Sequence, residues 1–310
     1  MTRPKLREST GVALALLSAA LWGLYPVAVH SGSANIPPLT FAASITIIAA
    51  LGALAYALAT GRAGELLRVR AYPALLMITL CIVIIPNSLF FIGARQTSGV
   101  NASFLLLSEI IFTVLFTPFI GEKTTRDKLL GAGGVFFGAL FLLESGTWSF
   151  QGGDWLVILS TALFPLGNFY GKKALNLVSP AAILVFRFIV GGLVLSVLAL
   201  VLERNADPVA LARNYWPFLV VSGLVLLTVG KIIWYEALRR LDISKTVSLG
   251  MTFPLFSLAA LVGFYREPVS PLQWAGIVVM GVGVYFSVRR PSVDPGLTRY
   301  AAPGRASLDS

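Results

Sequence analysis

Histidine and cysteine are almost missing from this chain, which has one of each, His30 and Cys81, among 310 residues. A zinc or haem site of ordinary composition needs more ligands than that. Cys81 has no second cysteine with which to form an internal disulfide, and it reads as a small buried hydrophobe. Charge is scarce as well. Asp, Glu, Lys and Arg make up 12% of the residues, against about 25% in a typical soluble domain, while 56% are hydrophobic. Such a chain cannot cover itself with a water-facing surface. No Gly-x-x-x-x-Gly-Lys-Ser/Thr loop occurs, so no phosphate cradle for direct ATP drive is present. A histidine-based hydrolytic triad would have to use His30, which reads instead as a solvated group at an outer helix end. No cofactor and no metal are expected, and the chain is not read as an enzyme.

What the chain has in abundance is long apolar runs. At 1.5 Å rise per residue, roughly 20 apolar residues cross a hydrocarbon layer about 30 Å thick. Runs of that kind lie near 11–29, 38–60, 73–94, 99–118, 128–143, 154–171, 180–201, 215–238, 244–264 and 271–288. The expected fold class is an all-α membrane protein with ten transmembrane helices. Turn signals such as Ile36-Pro37-Pro38 and Ser179-Pro180 open helices. Pro26, Pro86, Pro118, Pro165 and Pro254 lie within spans, where they are expected to give kinks or hinge points rather than ends.

The formal net charge of +10 is explained by topology better than by a nucleic acid partner. Most of the 24 Lys and Arg fall in one alternating set of connections, from Arg3, Lys5 and Arg7 to Arg289 and Arg290. The other set holds only Arg95, Arg204, Arg213 and Arg266. Cationic loops stay on the cytoplasmic side, so both termini are expected there, in a multi-pass protein of the cell inner membrane. Trp148, Trp155, Trp216 and Trp274 fall near the opposite ends of spans, as an interfacial aromatic belt requires.

The sequence repeats itself. Segment 14–24 resembles 156–166, and the same register pairs Pro38 with Pro180 and Arg62 with Arg204. A later stretch pairs Ser103 with Ser248, Glu122 with Glu267, Gly131 with Gly276 and Gly138 with Gly283. Between them, Tyr72-Pro73 pairs with Trp216-Pro217. Five helices per half is an odd number, so the second half enters the membrane upside down. Inverted repeats characterise secondary transporters, which bind substrate near mid-membrane where the halves meet. The expected organisation is a cytoplasmic N-terminus (1–10), a first five-helix repeat (11–145), a second (150–290) and a cytoplasmic disordered tail (291–310).

An apolar helix ending in Glu, a short loop and a Gly-rich helix occur twice. They stand as Phe119-Ile120-Gly121-Glu122 with Gly131, Gly134 and Gly138, and as Gly263-Phe264-Tyr265-Arg266-Glu267 with Gly276, Gly281 and Gly283. By this doubled pattern the chain resembles the ten-helix EamA-type branch of the drug/metabolite transporter superfamily over roughly 11–290. Within that branch it looks most like YddG-type exporters of aromatic amino acids. The family has Pro thirteen residues before the Glu. Pro254 keeps it in the second half, and Glu109 replaces it in the first. The resemblance implies export by alternating access, without covalent chemistry.

A charge inside a bilayer is a functional candidate by default. Glu109, Arg187 and Lys231 qualify, although Arg187 lies near enough to a helix end to snorkel. The repeat register sets Lys231 against Asn87 and Trp234 against Phe90, at i, i+3 spacing on one helix face. A polar group beside an aromatic in each half suits an amino-acid zwitterion. Lys231 would hold the carboxylate and Asn87 would add hydrogen bonds. Phe90, Trp234, Trp22 and its repeat mate Phe164 would pack the side chain, and Ser103 and Ser248 would add hydroxyls. The bland alternative is a buried Lys231–Glu109 pair that fixes helix packing, with Asn87 capping the carbonyl freed by Pro86.

The expected partners are thus a small-molecule substrate and the lipid bilayer, with the protein a monomer. Gly134-x-x-x-Gly138 is read as packing two helices within that monomer. A rival substrate class is cationic drugs held by Glu109. A rival of another kind is a non-transporting membrane scaffold.

Overall fold

The computed structural model describes residues 3–23, 37–94, 96–97, 102, 105–143, 151–265 and 269–289. Pro26, His30, Ser103, Trp148, Glu267 and the tail from 291 lie outside the described residues. No strand occurs among the described residues.

The helices are α1 (Arg3–Gly23), α2 (Pro38–Ala59), α3 (Val69–Ala94), α4 (Ser108–Ile120), α5 (Arg126–Leu142), α6 (Asp154–Ala162), α7 (Phe164–Ala174), α8 (Pro180–Leu202), α9 (Pro208–Leu238), α10 (Ile243–Gly250), α11 (Phe253–Tyr265) and α12 (Pro271–Arg289). Five of them, α2, α3, α8, α9 and α12, are by themselves long and apolar enough to cross a membrane. Their outward sides carry exposed Leu51, Leu58, Leu193, Leu200 and Val278, with Trp155, Trp216 and Trp274 exposed as well. A helix that is apolar on all sides needs lipid on its outer face. The chain is a multi-pass membrane protein.

Two spans expected as continuous are each broken in two. The run 154–171 divides at Leu163, one residue before the start of α7 at Phe164-Pro165. The run 244–264 divides at Met251 and Thr252, before Phe253-Pro254 opens α11. Pro165 and Pro254 therefore stand at new helix starts, against the expectation of kinks without ends. Proline has no N–H to donate and its ring crowds the preceding turn, whereas at a first helical turn neither matters. Pro86 stays inside α3, just past a π-helical stretch at Thr79–Ile84. A second such stretch, Val221–Val229, lies in α9 at the equivalent repeat position. There the Thr228 hydroxyl donates to the carbonyls of Gly223 (3.0 Å) and Ala49 (3.1 Å), tying the widened turn to α2.

Two antiparallel pairs of repeat-related helices, α2 with α8 and α5 with α12, form much of the frame. Beyond the end of α8, the Glu203 carboxylate accepts from the N–H groups of Leu39 (2.9 Å) and Thr40 (2.8 Å) at the start of α2. Beyond the end of α2, Glu65 accepts from the Ser179 N–H (2.6 Å) at the start of α8. A carboxylate at a helix N-terminus satisfies orphan donors and meets the positive end of the dipole. Small residues let the helices approach: Ala42, Ala49, Ala53 and Ala57 on α2 are fully buried.

In the second pair, Gly131, Gly134 and Gly138 of α5 face Ser287, Gly283 and Met280 of α12. A Cβ on Gly134 would lie 2.6 Å from the Cα of Gly283. The Gly-x-x-x-Gly pattern packs two helices of one chain, as read from the sequence.

One end of the bundle is tied by charge. Glu122 accepts from the N–H groups of Ile243 (2.5 Å) and Ser244 (3.3 Å) and from the Ser244 hydroxyl (2.8 Å), capping α10. Lys128 reaches Asp242 at 2.8 Å and Glu122 at 3.5 Å. Lys245 on α10 pairs with Glu8 on α1 at 2.6 Å. Gly121, at φ 78°, makes the turn that delivers Glu122; a side chain there would be strained.

Candidate functional site

Inside this frame α1, α2, α3, α4, α7, α8, α9 and the α10–α11 break line a cavity of about 270 Å³. Small-molecule sites run from about 300 to 1,000 Å³, so this one fits a single compact molecule. Seven of the nine residues singled out in the sequence line it: Trp22, Asn87, Phe90, Glu109, Phe164, Lys231 and Trp234. Ser248 does not reach it. That side chain is 4% exposed within α10, while Gly250 and Met251, two and three residues on, form the wall. Ser103 lies outside the described residues.

The Lys231 ammonium sits 4.7 Å from the Trp22 ring centroid and 5.5 Å from that of Trp234. Each such contact is worth about 0.5–2 kcal/mol, more when water is excluded. Gly250 leaves room for the Trp234 ring, since a Cβ there would overlap it. Glu109 is 6% exposed and accepts a 3.3 Å hydrogen bond from the Asn168 amide. Among the described residues no ion pair within 4.0 Å joins Glu109 to Lys231. The buried-pair alternative in its direct form is therefore absent.

Three polar wall residues, Ser18, Asn168 and Ser222, escaped the sequence reading, and a fourth, Arg187, was weighed there as able to snorkel. Asn168 stands four residues after Phe164, on the same helix face, and that spacing was a usable signal. Ser222 sits in the π-helical stretch of α9, and its buried hydroxyl has no partner among the described residues. Arg187, read as able to snorkel, is 2% exposed and lines the cavity. Its Nη1 donates to the Tyr235 hydroxyl at 2.8 Å, and its guanidinium stacks 4.6 Å from the Phe188 ring centroid. Among the described residues no three His, Cys, Asp or Glu converge on a point that would hold a metal.

A helical frame of two repeats around a polar and aromatic cavity in lipid defines a membrane transporter. The model of the EamA-like transporter family matches residues 9–144 and again 151–289, and the chain belongs to that family. The chain is 24% identical over 289 residues to a probable amino-acid metabolite efflux pump of Escherichia coli (strain K12), covering 89% of this chain and 93% of the relative. It is 30% identical over 224 residues to an uncharacterized transporter of Methanothermobacter thermautotrophicus, where the match spans 69% of this chain and 64% of that protein. One solved crystal structure superposes with a TM-score of 0.77 at 17% identity, covering 90% of this chain and 96% of the other. That likeness concerns the fold alone.

Proposed function

We propose that this protein exports neutral amino acids, foremost aromatic ones, across the cell inner membrane by alternating access, a specificity of the YddG type. The observation that carries the reading is the cavity wall on α9. There Lys231 lies over Trp22 and Trp234, and the repeat mates Asn87 and Phe90 line the same cavity. Lys231 receives the substrate carboxylate, Asn87 donates hydrogen bonds, and the rings of Trp22, Phe90, Phe164 and Trp234 pack the side chain. Glu109, held by Asn168, faces the substrate ammonium. The efflux pump named for amino-acid metabolites supports this substrate class.

The proposed architecture is ten helical spans in two inverted five-helix repeats, 11–145 and 150–290, in a monomer with both termini cytoplasmic. Three observations support it. The repeat mates α2 and α8 run antiparallel, as do α5 and α12, and the two π-helical stretches fall at equivalent positions. An upside-down second half requires that relation.

Purified protein in liposomes, supplied with labelled phenylalanine, tryptophan and threonine, tests the substrate class. Saturable flux of the aromatic pair is expected. Absence of flux for all three would sink the reading.

A further inference from the structure

The cavity carries two cations and one carboxylate. Lys231 and Glu109 are one cation and the carboxylate, opposite in sign and lining the same cavity. Arg187 has no carboxylate of its own, and among the described residues no Asp or Glu pairs with it. Its guanidinium is always ionised, and a buried charge without a counter-charge is costly in a low-dielectric interior. One nitrogen is fixed: Nη1 donates to the Tyr235 hydroxyl, and the guanidinium carbon lies 4.6 Å from the Phe188 ring centroid. The Nε–H is buried and has no acceptor. The Nε–H is thus a buried donor that no group among the described residues takes up, and with Nη2 it makes one of the two edges by which arginine grips a carboxylate through parallel bonds.

We propose that Arg187 is a substrate-binding residue that takes an organic carboxylate, and that the cavity prefers net monoanionic acids with an aromatic side chain over the corresponding zwitterions. This rests on the reading above that the cavity is the substrate site. A monoanion neutralises the surplus positive charge, whereas a zwitterion leaves it in place. Acids whose amine is acylated or replaced by a hydroxyl meet the requirement. The rings that would pack a phenylalanine side chain pack theirs equally well.

The test uses full-length protein in liposomes preloaded with phenylalanine, with N-acetylphenylalanine and 3-phenyllactate as competitors. Both acids are expected to compete at least 10-fold more tightly than phenylalanine itself. Arg187→Gln is expected to erase that margin, read as inhibition by each acid relative to inhibition by unlabelled phenylalanine in the same variant. Arg187→Lys, which keeps the buried cation but loses the paired donors, is expected to keep a fraction of it. If Arg187→Gln does not fold, the wild-type competition series and Arg187→Lys decide the matter.

Equal competition by acids and zwitterion, or an undiminished margin in Arg187→Lys and Arg187→Gln, overturns the assignment. Phenylalanine flux with no such margin leaves the proposed function standing. Loss of flux for acids and amino acids alike in the wild type removes both.

Discussion

The ammonium of Lys231 lies 4.7 Å from the ring of Trp22, joining residues more than two hundred positions apart in the wall of the cavity. The same α1–α9 contact is tied by the Ser18 hydroxyl, which donates to the Gly230 carbonyl at 3.3 Å. The cation is therefore held by aromatic faces and remains available to an anion entering the cavity.

Lys231→Ala should reduce amino-acid flux at least 10-fold, because a charge-assisted hydrogen bond is worth about 1.5–3 kcal/mol. Trp22→Ala should raise the apparent KM with a smaller effect on the maximal rate, since the ring packs and does not pair. Concentration-dependent uptake by each variant separates the two. Normal flux and affinity in Lys231→Ala would remove the proposed carboxylate contact.

Gly134→Leu should destabilise the protein by about 1–3 kcal/mol or more, the usual cost of overpacking. Gly133, whose added Cβ meets nothing within 4 Å, is the matched control, and Gly133→Leu should change little. Thermal unfolding in detergent, followed by tryptophan fluorescence, compares them. Equal midpoints for the two variants would mean that α5 and α12 do not pack as described.

Glu122→Gln keeps the shape of the α10 cap but loses its charge opposite Lys128 and the Ile243 N–H. Caps and buried charge-assisted bonds of this kind contribute about 0.5–2 kcal/mol, so a lower unfolding midpoint is expected. The loss should survive 0.5 M NaCl, because this carboxylate is buried and poorly screened. An effect abolished by salt would make Glu122 a surface charge only.

Asp242 lies in the turn between α9 and α10, outside the spans. Burial first, and then the neighbouring Glu122 carboxylate, push its carboxyl above the usual carboxylate range, against the pull of Lys128 and Lys172. A raised folded-state value means that the folded protein binds the proton more tightly than the unfolded chain. The cost of keeping Asp242 ionised is thus present at neutral pH and is relieved as pH falls through its folded-state value. The midpoint of the wild type relative to Asp242→Asn should therefore rise on acidification from pH 7 to pH 5. A difference independent of pH would show that Asp242 does not titrate in the folded protein.

Reporter tags fused at the first and last residues should appear on the same side of the membrane, the cytoplasmic one. Opposite sides would overturn the proposed inverted symmetry and with it the proposed pairing of Lys231 with Asn87.

The sequence by itself determined the solvent, the doubled pattern and most of the cavity. Scarce charge with long apolar runs admits only lipid, and a sustained register between halves finds repeat mates such as Asn87 and Lys231 without coordinates. Helical spacing then names a face, and Trp234 follows from Lys231 by i, i+3.

What spacing does not name is the element opposite that face. The neighbours of Lys231 and Arg187 come from helices remote in sequence, so only tertiary packing decided that Lys231 meets Trp22 and that Arg187 is buried on Tyr235. The same limit separated Ser248 from Gly250 on one short helix. It also turned Pro165 and Pro254 into helix starts, because whether a proline kinks or ends a helix depends on which groups nearby can satisfy the backbone it interrupts.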